Sequence, residues 1–491
     1  MNASFSKNKF FVNGAFTRND FRGYGGNYGR DKSWKPKEQW LGNATIGYRG
    51  EKNTIYYRID GLDENIAAKG AINMNTYKAF DQQFITSRWM HQVQDDWHIN
   101  QKFHLNSAIS YTDYSRRTHS TRHDFTNNTD ELTTGLGEQD TAVFTTLFFR
   151  SQGHYKINEK LSVQPGVEYN RNAASGARIE GSPVINDFAF FASAEWRPLT
   201  RVNIRPGFRL IKNSLYDAPP IVPALNAKIG LRDNIDLRLA YAQGYRAPAL
   251  RELYFDFVDA NHKIYGNKDL EAETSNSINA ALSWRYGTQL RSTFTFSSFY
   301  NVFKNLIDYG TDQTDGTITR MMNIDEFKTT GASFEQMFVY RQWQLNIGAL
   351  YIGRYNRLSS EDNVSREVPK FNWSPEANAS LYYNWKKAET TLAFMYKYTG
   401  PRPTWQYVSI TTSNEVKLTQ LSSFSWADFT ATKTLLKNIT LQTGIKNIFD
   451  IKNVNNTSAG DGVHSGGGGA SPIGYGRSYF LGISYQFIKN K

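Results

Sequence analysis

Short polar turns recur along this chain at intervals of roughly 35 to 60 residues, and between them apolar and polar residues alternate at period two. The turns fall at Lys7-Asn8, Glu51-Lys52-Asn53, Asn100-Gln101-Lys102, Asn158-Glu159-Lys160, Leu199-Thr200, Asp233-Asn234, Gly287-Thr288, Arg341-Gln342, Lys386-Lys387 and Lys437-Asn438. In "NIDLRLAYA", Ile235, Leu237, Leu239 and Tyr241 share one face of a strand, with Asp236, Arg238 and Ala240 on the other. In "SYFLGISYQF", Tyr479, Leu481, Ile483, Tyr485 and Phe487 oppose Ser478, Gly482, Ser484 and Gln486. Each interval accommodates two spans of about 10 residues and one long loop. The loops are polar and glycine-rich, as in "NDFRGYGGNYGRDKSWKPKEQ" and "TSAGDGVHSGGGGASPIGYG".

Tight turns on one side and long loops on the other are the asymmetry of a transmembrane antiparallel β-barrel with short periplasmic turns and long extracellular loops. The expected fold class is therefore all-β. Counting from the turns gives about 21 strands, and closed bacterial single-chain barrels have even numbers, so the expectation is a barrel of about 22 whose first strand and part of the second lie outside residues 1–491. Barrels that wide are plugged transporters, whereas open porins are narrower. No Pro/Gly/Ser-rich or charged linker divides the chain, which favours one large sheet over several domains.

Composition agrees with this reading. Aromatic residues reach 15% while hydrophobic residues total 40%, and no run of about 18 apolar residues offers a transmembrane helix. A membrane barrel needs none, because only alternate residues face lipid. "MNASFSKNKF" has no continuous apolar core and is not a secretory signal peptide; either the protein stays in the cytoplasm or its N-terminus lies upstream of Met1. The absence of cysteine rules out disulfides and zinc-thiolate sites. A net charge of +12 fits basic residues spread over loops and a polar interior, or attraction for anionic lipid head groups or an anionic ligand. No basic run with interleaved aromatics points to nucleic acid. Trp97, Trp196, Trp284, Trp343 and Trp385 each sit within about three residues of a short turn, where an amphipathic ring rests at a membrane interface.

Three stretches resemble the β-barrel of TonB-dependent outer-membrane receptors, and the likeness extends over nearly the whole chain. "GYGRSYFLGISYQF" is similar to the family's last strand, whose aromatic residues, here Tyr479, Tyr485 and Phe487, are read by the barrel-assembly machinery; "IKNK" follows it. "GIKNIFDIKN", residues 444–453, resembles the penultimate-strand signature. Tyr245-Arg246-Ala247-Pro248 resembles the first box of haem-type receptors, and Asn267-Lys268-Asp269-Leu270 the second, with Lys268 where the family usually has proline.

The resemblance implies a receptor for TonB-driven uptake of an iron-containing ligand, haem or a ferric siderophore, in the outer membrane of a Gram-negative cell. Cobalamin or another ligand of the same family, or a passive porin-like channel, is the alternative. The implied partners are the TonB complex, engaged through an N-terminal plug expected outside this chain, the barrel-assembly machinery, outer-membrane lipid and a small metal-chelate ligand. In the haem subfamily a histidine between the boxes ligates haem iron, and His262 occupies that interval. His464, in the last glycine-rich loop, is the second candidate ligand. Tyr254, Tyr265 and Phe255 are placed to flank a flat macrocycle. Arg246 is counted with them as a ligand-binding candidate; the boxes also occur in looser form in other receptors of the family, where Pro248 fixes a bend and Arg246 pairs inside the barrel. His119 and His123 fall on an expected loop and read as solvated. No resident cofactor is implied, haem being cargo. No phosphate-binding loop, nucleophile elbow or helical metal-ligand pair occurs, so no enzyme is expected.

Overall fold

A computed structural model of the chain describes all residues except 26–29, 136, 259–262, 313, 314, 316, 361–366, 408–415, 437, 458–468 and 488–491. His262 and His464 therefore lie outside the described residues. Among the described residues, 21 strands run between the tight turns and the long loops. They are β1 (Asn2–Lys7), β2 (Phe10–Phe21), β3 (Lys37–Arg49), β4 (Asn53–Lys69), β5 (Lys78–His98), β6 (Phe103–Asp124), β7 (Thr141–Asn158), β8 (Leu161–Ser175), β9 (Val184–Leu199) and β10 (Val202–Asn213). Then follow β11 (Val222–Arg232), β12 (Ile235–Arg246), the short helix α1 (Leu250–Tyr254), β13 (Glu273–Tyr286), β14 (Leu290–Thr311), β15 (Thr319–Tyr340) and β16 (Trp343–Tyr355). The last are β17 (Phe371–Trp385), β18 (Thr390–Thr399), β19 (Phe424–Leu435), β20 (Ile439–Lys446) and β21 (Ser478–Tyr485).

Nine of the ten turns lie where alternation breaks, the first and fifth one residue later than the sequence suggested, and Lys437 of the tenth lies outside the described residues. The first is Asn8-Lys9 and the fifth Thr200-Arg201, because the ladders continue to Lys7 opposite Phe10 and to Leu199 opposite Val202. Asn8 takes φ of +55°, a left-handed conformation that asparagine tolerates better than most residues.

The chain divides into two compact units. One comprises Met1–Leu225, Ala242–Ser275 and Lys304–Glu326, and the other Asn226–Tyr241, Asn276–Phe303 and Phe327–Lys491. In the first, β1 to β10 pair in chain order as an antiparallel meander. In the second, β16 to β21 do the same, and four short strands from the long loops (Arg402–Tyr407, Val416–Leu421, Asn453–Asn456, Gly469–Pro472) form a separate small sheet.

Alternation has the expected result: one face of each meander is apolar and uncovered. On β21, Tyr479, Leu481, Ile483 and Tyr485 are 64–72% exposed, and Phe487 just beyond it is 76% exposed. The five turn-flanking tryptophans are 43–48% exposed. A sheet in water would hide such a face, whereas lipid covers it without cost.

Strand length departs from expectation. β6, β14 and β15 each have 22 residues, about twice a membrane span. On β6 the apolar run Phe103, Leu105, Ile109 and Tyr111 gives way on the same face to Asp113, Ser115, Arg117 and His119. Pairing continues past it because backbone hydrogen bonds are indifferent to side-chain polarity. His119 and His123 consequently belong to a strand, not a loop, and both are partly buried. His123 Nδ1 lies 2.9 Å from Asp130 Oδ1 and its ring packs edge-on against Phe125.

The signature "GIKNIFDIKN" is a hydrogen-bonded knot at the end of β20. Asn447 is 1% exposed; its N–H donates to Asp428 Oδ1 at 2.7 Å, its amide donates to Ile451 O at 2.8 Å, and its Oδ1 accepts from Ile451 N at 3.0 Å. The Trp426 indole also donates to Asp428 Oδ1. Asp450 accepts the Arg477 backbone N–H, which holds its carboxyl below the usual carboxylate range. Asn447→Ala removes both side-chain bonds from a buried site and should destabilise the fold by about 2 kcal/mol. A fall in the temperature at which the folded band disappears on a semi-native gel checks this.

Candidate functional site

The first box closes β12 and starts α1. Arg246, the last residue of β12, donates from Nε and Nη2 to both oxygens of Glu273, each at 2.6 Å, and from Nη1 to Glu252 at 2.9 and 3.1 Å. This fork geometry is available to guanidinium and not to ammonium. Glu273 also accepts the Ile307 N–H at 2.7 Å. Pro248 is fully buried and fixes the bend. Glu252 accepts the Ala249 N–H at 2.7 Å, so the acid that anchors Arg246 also caps the helix. Arg246 is thus committed to two carboxylates within the protein.

The second box fastens α1 from the other side. Asn267 N donates to Glu252 O, and Asp269 N donates to Asn267 Oδ1. Gly266 passes so close to α1 that a Cβ there would lie 2.7 Å from the Leu253 backbone. Leu270 is buried with Leu250 and Leu253 among Ala174, Ile179, Ile185, Ile307 and Met321. Tyr254 packs against this cluster; Tyr265, in a short strand paired with residues 256–258, is partly buried. Lys268, the departure from the family pattern, donates to Glu180 at 2.6 Å and sits 5.6 Å from the centre of the Tyr254 ring. The Glu180 carboxylate raises the pKa of the Lys268 ammonium.

Beside this junction lies a cavity of about 720 Å³, within the usual range for small-molecule sites. Tyr245, Arg246, Ala247 and Pro248 all line it. Its opposite wall is the polar face of β8 to β10, from which Glu168, Asn170, Asp187 and Arg209 contribute. Arg209 donates to Glu168 at 2.6 Å, and Tyr216 enters from the loop after β10.

Three polar atoms of this lining are buried without a hydrogen-bond partner among the described residues: the hydroxyls of Tyr216 and Tyr245 and Oδ1 of Asn170. The two phenols are neighbours, near enough for each hydroxyl to act on the other. Burial pushes the Tyr216 phenol well above its ordinary pKa, with Asp187 adding to the effect, so at neutral pH it is a hydrogen-bond donor. Buried hydroxyl and amide groups such as these favour hydrogen-bonded company. The cavity is therefore suited to a polar, multidentate guest.

Sequence reading located the first box and missed the wall across from it. The available signal was the row Glu168, Asn170, Asn172 at every second position of β8, polar where a merely structural inner face would be small.

With this geometry in place, the family of the chain is decided by its match over residues 4–448 to the model described as TonB dependent receptor-like, beta-barrel. The chain belongs to that family. It is 32% identical over 157 residues to the iron-regulated outer membrane virulence protein of Vibrio cholerae, covering 30% of this chain and 24% of that protein. It is 36% identical over 76 residues to hemoglobin and hemoglobin-haptoglobin-binding protein B of Haemophilus influenzae, covering 16% and 7%. The ferric enterobactin receptor of Pseudomonas aeruginosa is 24% identical over 361 residues, covering 65% of this chain and 44% of the receptor. A solved structure of the ferric enterobactin receptor PfeA superposes with a TM-score of 0.71 at 15% identity, over 97% of this chain and 76% of that one. The matches thus span less than half the length of each of these curated relatives.

Replacing Arg246 by lysine keeps the charge and loses the fork. Because the side chain is 45% exposed, the expected cost is modest, about 1 kcal/mol, and local. Hydrogen exchange should speed up in residues 249–273 while the β1–β6 ladders stay protected.

Proposed function

We propose that this chain is the barrel of an outer-membrane receptor that captures an iron-containing ligand at its loop side and admits it to the polar cavity beside the Tyr245–Pro248 box. The observation that carries the reading is the convergence of three buried polar groups, the Tyr216 and Tyr245 hydroxyls and Asn170 Oδ1, on one cavity built by that box. In this reading the TonB complex supplies the work of uptake through a plug segment, and the role is binding and transport rather than catalysis. The uncovered apolar face and the tryptophans at the turns support insertion in outer-membrane lipid, and the exposed aromatic end at Tyr479, Tyr485 and Phe487 suits recognition by the barrel-assembly machinery.

Two forms of iron cargo have separate support. A ferric siderophore is favoured by the relative named as a ferric enterobactin receptor and by the hydrogen-bonding lining, which matches a polar chelate. Haem is favoured by the box resemblance and by the relative named for hemoglobin binding, with His262 and then His464 as axial ligands. Titrating haemin into the protein and following the Soret band separates them. A red shift lost in His262→Ala supports haem; no shift in the wild type removes it.

The cavity makes its own prediction for a ferric siderophore. Tyr245→Phe removes one buried hydroxyl and keeps the ring that shapes the cavity, so thermal stability should hold to within about 1 kcal/mol. Chelate affinity should fall about fivefold to tenfold, the worth of one hydrogen bond. Equal chelate affinity in the variant, measured by fluorescence quenching, would remove the cavity from the binding site.

A further inference from the structure

The tight-turn end of the β5–β6 hairpin carries a second cluster that the receptor reading does not use. His98 ends β5 and His104 opens β6 one residue in, and the two are register partners. Their rings stack with centroids 4.2 Å apart and planes 10° from parallel. Asp96, two residues before His98 and so on the same face, bonds His104 Nε2 through Oδ1, and the same oxygen lies 3.5 Å from His98 Nε2. One donor atom from each of the three residues falls within 4.8 Å of the others. His154 on β7 is the register partner of His104. Since directly opposed residues of an antiparallel pair share a face, a third imidazole starts from the adjacent strand on that side. The face is the one opposite Trp97, Leu105 and Tyr155, away from the apolar surface.

Two aromatic nitrogens and one carboxylate oxygen form the donor set of borderline transition ions. Around one ion, with bonds of about 2.0–2.2 Å, donors stand roughly 3.3 Å apart. Closing the cluster to that spacing calls for rotation of the His98 side chain, which is 66% exposed, while the backbone positions are fixed by the ladder. We propose that Asp96, His98 and His104 form a binding site for a divalent transition-metal ion such as Zn²⁺, Ni²⁺ or Cu²⁺, distinct from any iron-bearing cargo.

The test uses the full chain, folded in detergent micelles and freed of metal with a chelator. Isothermal titration with NiCl₂ and ZnCl₂ should show one saturable site per chain. His98→Ala and His104→Ala should each weaken it at least tenfold, while His119→Ala, on the loop-side part of β6, should leave it unchanged. Copper should bind more tightly than nickel, and the electron paramagnetic resonance spectrum of the copper form should show coupling to two nitrogens, reduced to one in His98→Ala. His98 lies at an exposed strand end, so circular dichroism should show that variant folded. Wild-type binding no tighter than that of the double variant His98→Ala, His104→Ala, or a copper spectrum without that nitrogen coupling, would overturn the proposal.

Discussion

Every feature of this protein depends on the pairing of main-chain N–H and C=O groups between neighbouring strands. In hydrocarbon an unpaired backbone group costs several kcal/mol, so a chain that crosses lipid without long apolar helices is driven to continuous antiparallel ladders. The ladders of β1 to β10 and of β16 to β21 show the solution: long, nearly unbroken registers closed by turns of two to four residues. Once pairing is fixed, period-two alternation decides which residues share the apolar face and which the polar one. The cavity, the exposed aromatic face and the histidine stack are consequences of that sorting.

Much of this was legible in the sequence, for an identifiable reason. A strand between two different environments writes its geometry directly into alternating polarity, and a tight turn interrupts the alternation with polar residues, most often asparagine, glycine or lysine. That is why nine of the ten turns, and the 21 strands between turns and long loops among the described residues, could be counted from residues alone. The expectation of spans near ten residues failed because ladders such as β6 continue beyond the apolar stretch on polar side chains, and polar strand resembles polar loop. The same ambiguity put His119 and His123 on a loop. The small strands at 402–407, 416–421, 453–456 and 469–472 are too short for periodicity to declare itself.

The functional site was half legible. The first box was recognisable because Pro248 and Arg246 are local features with local reasons. What they face was not, because Glu168, Asn170, Arg209 and Tyr216 come from three other hairpin segments, and their convergence is set by register between strands. Arg246 itself reads differently in three dimensions. A free cation at the mouth of a site suggests a ligand contact, whereas one held by Glu252 and Glu273 orders the loop around it. The pair His98 and His104 was hidden for the same reason as the cavity wall, although the turn between them makes residues six apart direct neighbours.

The length of β6 beyond its apolar stretch has a geometric consequence. From Asp113 to Asp124 the strand runs roughly 36 Å, or about 26 Å in height at a tilt near 45°. Beyond the apolar stretch the ladder carries a polar wall of that length, held by backbone pairing alone and therefore free to present any side chain on either face.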